Sequence, residues 1–170
     1  MLTLTKKIGA SAIAALALGC SALERPVPPA KIQAGVVGGT MVSQYSTFGP
    51  VETIAVGDTV DSPNPERLYR SKLKRVLDVR SQIVPETYFI LMEHTNLMLE
   101  VSGSTQLLTW GFEWKRADQL TTEDILIGSL TSSARVIAIE LRTEAKRIYW
   151  LDVEDWHSFR VGRFWFPVRE

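Results

Sequence analysis

Little in this chain suits metal or disulfide chemistry. Cys20 is its one cysteine, and His94 and His157 are its two histidines. A single thiol excludes an internal disulfide framework and any paired-cysteine redox or metal site. Glu154, Asp155 and His157 stand close together, but no second His or Cys is near them. No metal is therefore expected there, and His157 reads as a structural histidine in a β-core, His94 as a turn residue. An excess of charge is missing too, with 19 basic and 19 acidic residues. Without residues 1–19, which hold Lys6 and Lys7 and no acid, 17 basic residues face 19 acidic ones. That excludes the basic surface on which nucleic-acid binding rests. A glycine-rich phosphate loop, a GxSxG elbow and an HExxH helix are all absent, and no cofactor is expected. Helical periodicity is almost missing as well.

What is present is a globular composition, 45% hydrophobic and 22% charged, of a size for one domain behind a targeting segment. Lys6 and Lys7 precede Ile8 to Gly19, an apolar run too short to span a bilayer. It ends in Ala17-Leu18-Gly19-Cys20, which resembles the lipobox of bacterial lipoproteins with its first two positions exchanged. The resemblance implies a signal peptide over residues 1–19 and a lipidated Cys20 as mature N-terminus. Ser21, rather than Asp, after the cysteine implies an anchor in the outer membrane, on the periplasmic side of the bacterial cell envelope. Lipidation also removes the oddity of a free thiol in an exported chain, where it would be open to oxidation and exchange. Residues 20–33 then form a tether, extended by Pro26, Pro28 and Pro29.

The rest, residues 34–170, reads as short strands. Thr40-Met41-Val42 is a strand and Phe48-Gly49-Pro50 a turn. Val51 to Val60 reads as strand, Gly57-Asp58 turn, strand. Asp61 to Glu66, with Pro63 and Pro65, is a loop. In Leu68 to Ile83, Leu73, Arg75, Leu77 and Val79 alternate on one imperfect apolar face; the many basic residues of this stretch read as edge-protecting charge. Thr87 to Met92 and Leu97 to Val101 form a hairpin. Gln106 to Thr109 and Phe112 to Trp114 flank Trp110-Gly111, and Ala117 to Leu120 allows one helical turn. Ala134 to Leu141 and Arg147 to Val153 are the cleanest strands, paired through Arg142 to Lys146, and Ser158 to Val168 closes the chain around Gly162. An all-β fold follows. Of Trp110, Trp114, Trp150, Trp156, Trp165 and Phe159, most read as core or sheet packing; at Phe164-Trp165-Phe166 a final edge strand could dock a partner by strand addition.

Four pieces, in order, resemble the Hint (hedgehog/intein) domain: Gly39-Thr40-Met41-Val42, Val51 to Val60, Leu99 to Ile127, and Tyr149 to Gly162. The resemblance implies a compact horseshoe of short strands and hairpins. It also implies a chemistry, self-cleavage or protein splicing, that opens with an N-to-S or N-to-O acyl shift by a thiol or hydroxyl. The position of that nucleophile falls on Gly35, which has no side chain. The threonine that helps hold the oxyanion falls on Ser102, a partial retention. The histidine that protonates the scissile amide falls on Thr105, which is no general acid near neutral pH. The late histidine is kept as His157, and the terminal His-Asn pair falls on Arg169 and Glu170. No intact catalytic set remains, and losing several members of one constellation costs little beyond the first loss. The expectation is a membrane-anchored, catalytically inactive Hint-like module that binds or scaffolds. Its protein partner would sit at the degenerate cleft around Gly35, Ser102, Thr105 and His157, or at the Phe164-Trp165-Phe166 edge. The alternative is an autoprocessing domain that uses another hydroxyl.

Overall fold

The computed structural model describes residues 34–64, 67, 70–93, 98–128, 132–162 and 166–170. Cys20 with its signal and tether, His94, Phe164 and Trp165 lie outside them. In chain order the strands are β1 (Val36–Val37), β2 (Met41–Gln44), β3 (Thr47–Pro50), β4 (Thr59–Pro63), β5 (Ser71–Val84), β6 (Thr87–Met92) and β7 (Met98–Val101). They continue as β8 (Gln106–Thr109), β9 (Glu113–Arg116), β10 (Ile125–Ile127), β11 (Ser133–Arg142), β12 (Lys146–Val153), β13 (Ser158–Val161) and β14 (Phe166–Arg169). Single 3-10 turns at Val51–Thr53 and Ala117–Gln119 are the only helical pieces among the described residues. The fold is all-β, and its strand pairs are antiparallel.

Hydrogen bonding links the strands in the order β3-β2-β13-β14-β8-β10-β11-β6-β7-β1-β12-β5-β4, with β9 added to β8. The path curls until its far end meets its beginning: Ser62 Oγ of β4 donates to Ser158 O of β13 at 2.6 Å, and Ser158 Oγ donates to Pro63 O at 3.2 Å. Both serines are buried, so these bonds satisfy groups that would otherwise be costly to enclose. Inside the curl, Trp150 of β12 meets Phe159 of β13 edge to face, ring centroids 5.2 Å apart.

The two cleanest strands form, but they do not pair with each other. β12 runs along β5, from Lys146↔Val84 to Val153↔Val76, and β11 runs along β6, from Arg142↔Thr87 to Val136↔Met92. The chain bends at Pro85-Glu86 and again, opposite, at residues 143–145, and at neither point does it reverse. Pro85 has no N–H to give a ladder, so the long ribbon breaks there and turns a corner.

Other local readings are corrected in the same way. Val51–Thr53 is a 3-10 turn instead of a strand, and Phe48-Gly49-Pro50 lies within β3, paired with β2, instead of forming a turn. Asp61 to Pro63 belongs to β4 rather than to a loop. In β5 only part of the face expected to be apolar turns inward: Val79 packs against the core, but Leu73 and Leu77 are 39% and 48% exposed while Val76 is fully buried. Leu77 has no partner between Val76↔Val153 and Asp78↔Asp152, and this bulge interrupts the alternation on which the reading rested. The final strand is not an edge. β14 lies between β13 and β8, and Phe166 is 2% exposed, so β14 itself offers no free edge.

β1 decides the site. It is only two residues long, yet it is threaded between β7 and β12: Val36 faces both Val101 and Tyr149, and Val37 faces Ile148. A strand flanked on both sides has both its edges paired, and Val36 is fully buried. The residue just before it, Gly35, is thereby carried into the middle of the sheet.

Candidate functional site

Gly35 is clasped by the turn that joins β7 to β8. Ser102 N donates to Gly35 O at 2.9 Å, continuing the ladder. Thr105 Oγ1 accepts from Gly35 N at 2.9 Å and donates to Gly35 O at 3.0 Å. Ser102 Oγ lies 3.0 Å from Thr105 Oγ1; with the threonine proton given to Gly35 O, Ser102 is the donor of that pair. Thr105 N in turn donates to Ser102 O at 3.1 Å, closing the turn. Ser102 and Thr105 are both 0% exposed. The three positions assigned from the sequence are therefore in direct contact, and they are enclosed; they do not line an open cleft.

A side chain at position 35 would crowd β12. A Cβ built there would lie 2.9 Å from Ile148 Cδ1, 2.9 Å from Tyr149 O and 3.1 Å from Ile148 Cβ. Both residues belong to β12 and pair with β1, which they hold in register. The polar groups offered are hydroxyls, which neither take nor give a proton readily near neutral pH. The two donors on this carbonyl meet Gly35 O, downstream of the Ala34 carbonyl that an acyl shift at Gly35 would attack. As arranged, the cluster binds backbone.

The remaining positions spread outward from the clasp. Gln106, next after Thr105, pairs with Arg169, and Arg169 pairs with Ser158, so one row crosses β8, β14 and β13 toward His157. Arg169 Nε donates to Gln106 Oε1 at 3.0 Å and its guanidinium lies 4.4 Å from the Trp114 ring centroid; burial lowers its pKa. Glu170 reaches Arg80 at 3.3 Å. His157 corrects the expectation of a core histidine. Its side chain is 69% exposed, and Nδ1 lies 2.8 Å from Asp152 Oδ1, a residue outside the clasp. The cause is the turn after β12, where Asp155 and His157 take left-handed φ values of 65° and 47° and swing the ring outward.

Behind the clasp lies a hollow of about 290 Å³, lined by Pro85, Glu86, Tyr88, Gly103, Arg116 and Asp118 among others. Arg116 is held by Asp118, Nε to Oδ1 at 3.0 Å. Burial and then the carboxylates of Glu86 and Asp118 push the Tyr88 hydroxyl above its ordinary pKa. A second polar cluster escaped the sequence reading. Glu100 of β7 is reached by Lys146 Nζ at 2.8 and 3.0 Å, by Arg142 Nη1 at 3.2 Å and by Thr87 Oγ1 at 2.6 Å. Burial alone would raise its pKa, but the hydrogen bonds from Lys146 and Thr87 and the two cations prevail and lower it. Nothing local marks this group, because its partners come from three different strands.

The aromatic residues divide. Trp150 and Phe159 are core, as their strand spacing predicts. Trp110 is 71% exposed at the tip of the β8–β9 hairpin, against the packing role expected of it, and Phe112 beside it is 67% exposed.

Comparison by sequence finds no matching family model and no matching curated protein. Comparison by structure does find matches. A solution structure of a bacterial intein-like domain from Clostridium thermocellum superimposes with a TM-score of 0.74 at 22% identity, over 82% of this chain and 100% of that one. A DnaB intein from Synechocystis sp. PCC 6803 gives 0.70 at 14% identity, over 81% and 98%, and the gp41-1 intein 0.65 at 16%, over 81% and 99%. The described strands, in this order and pairing, have the Hint fold of the intein-like domains.

Proposed function

We propose that this chain is a lipid-anchored protein of the bacterial cell envelope whose Hint-like domain no longer processes itself and serves as a binding or scaffolding module. The observation that carries this reading is the enclosure of Gly35. A nucleophile is missing at that position, and a Cβ there would overlap Ile148 and the Tyr149 carbonyl. The histidine expected at the scissile amide is replaced by Thr105, whose hydroxyl holds Gly35 N and O together. This supports a clasp that seats β1 as the central strand. The lipobox-like Ala17-Leu18-Gly19-Cys20 supports the anchor, with Cys20 acylated and the domain at the periplasmic side of the outer membrane. A partner would meet the hollow behind the clasp, since the clasp itself is closed.

The test is the intact mass of Ser21–Glu170, tagged at both ends, before and after incubation with dithiothreitol. One unchanged mass is expected. A new terminus near Gly35 or at the C-terminal end would overturn the reading in favour of autoprocessing and would identify the reacting residue. For the anchor, Cys20→Ser should move the protein from the membrane fraction to the soluble one; equal membrane association of the two forms would reject it.

A further inference from the structure

The β8–β9 hairpin ends in two aromatic rings that face water. Trp110 is 71% and Phe112 67% exposed. A single exposed apolar residue is ordinary, but this pair is held in place. Phe112 N donates to Thr109 O at 3.0 Å, Trp110 N to Ile125 O at 2.7 Å, and Thr109 Oγ1 to Glu113 O at 3.0 Å. Gly111 between them has φ 107° and Phe112 has φ 64°. A bulky residue rarely takes that left-handed conformation, which Gly or Asn adopts at less cost. The fold thus holds a phenylalanine on strained backbone and gains little burial from it.

We infer that this tip is a membrane-contact element, with Trp110 and Phe112 seated in the headgroup region of the bilayer that carries the Cys20 anchor. The inference rests on the anchored reading. Chain length brings the bilayer within reach. The tether enters the domain at Ala34, beside the Gly35–Thr105 clasp, and β8 leads from Thr105 to Trp110 in five residues, about 17 Å at strand rise. From Cys20 to Ala34 the extended chain spans at most about 46 to 50 Å. Anchoring keeps the local lipid concentration high, so a weak second contact suffices to orient the domain. The chemistry is that of the membrane interface, where tryptophan and other amphipathic or apolar rings settle at headgroup level. Charge plays no attractive part: Glu113 adjoins Phe112, while Lys115 and Arg116 are engaged by Asp124 and Asp118. The contact is apolar, insensitive to salt and independent of anionic lipid.

The experiment supplies the anchor chemically, so it does not depend on whether cells acylate Cys20. The Cys20–Glu170 chain, which keeps every described residue, is coupled through its one thiol to maleimide-bearing phosphatidylethanolamine in phosphatidylcholine vesicles. Tryptophan emission is then compared with and without brominated phosphatidylcholine. Wild type should lose up to the share of one tryptophan in five, equally at low and high salt. Trp110→Phe should lose none, and Phe112→Ser should lose less than wild type. No quenching of wild type would overturn the inference and leave the tip for a protein partner. Equal quenching of wild type and Trp110→Phe would also overturn it, by placing another face on the bilayer. The mass of Cys20 in protein extracted from cells tests the anchor separately.

Discussion

Replacing Gly35 by alanine adds one carbon at the most crowded backbone position of the site. Gly35 needs no positive φ, so the penalty is one of space. The added Cβ would lie 2.9 Å from Ile148 Cδ1 and 2.9 Å from Tyr149 O. The isoleucine methyl sits at the end of a side chain and can rotate away. The carbonyl belongs to the residue that pairs with Val36 and cannot move without opening β12 from β1. Gly35 cannot retreat either, because Thr105 and Ser102 hold its N and O. Overpacking of this kind costs about 1–3 kcal/mol, and the immovable carbonyl puts Gly35→Ala in the upper half, about 2–3 kcal/mol. For a domain of this size that corresponds to a fall in Tm of roughly 10 °C. Urea unfolding followed by tryptophan fluorescence reads the change. Gly38→Ala is the control from the same segment: its Cβ would meet nothing nearer than Tyr149 Cε2 at 3.4 Å, and it should cost less than about 0.5 kcal/mol. If Gly35→Ala also stays below about 0.5 kcal/mol, the site accommodates a side chain and the argument against a nucleophile there fails.

Thr105→Val keeps the shape and deletes the hydroxyl, leaving Gly35 N without its acceptor in a buried place; a loss of about 1–3 kcal/mol is expected in the urea midpoint, whereas Thr105→Ser should recover most of it. Glu100 has a folded pKa below its unfolded one, so its contribution to stability is full above the ordinary glutamate range and is lost as pH falls through the folded value. Below about pH 4.3, wild type should therefore lose stability more steeply than Glu100→Gln, and parallel pH profiles would refute the role given to that cluster. Phe112→Asn should raise the unfolding midpoint by about 0.5–1 kcal/mol, because it relieves left-handed strain at a residue that buries little, while weakening bilayer quenching of Trp110.

Much of the fold was legible because its signals are local. The hairpins β8–β9 and β13–β14 turn at Gly111 and Gly162, both at positive φ, and the helical turn at Ala117 lies where a stretch without β-branched residues allowed it. Gly35, Ser102 and Thr105, singled out from distant segments, do meet in the structure. What stayed hidden is pairing between distant segments. Ala134 to Leu141 and Arg147 to Val153 look like a hairpin when read along the chain. Their true partners, β6 and β5, are set by a corner at Pro85-Glu86 that no short window reveals. The exposure of His157 depends on a left-handed turn built from Asp155 and His157 themselves, residue types whose preference for that conformation is too weak to predict it.

The same limit explains why position 35 looked, from the sequence, like a simple absence. Read along the chain, a glycine where the resemblance expects a nucleophile looks like a gap that a hydroxyl could fill. Packed against Ile148 and Tyr149, it is a requirement of the sheet, because the short β1 lies between two strands only if nothing projects from the residue before it. Thr105 follows from the same demand. A hydroxyl can both accept from Gly35 N and donate to Gly35 O across 2.9 and 3.0 Å, which a neutral imidazole nitrogen, either donor or acceptor, cannot do with one atom. The residues at the positions where the resemblance places the nucleophile and the histidine of an acyl shift are the ones that hold the first strand in place. A cysteine placed at position 35 would therefore strain the pairing of β1 with β12 at least as much as Gly35→Ala does.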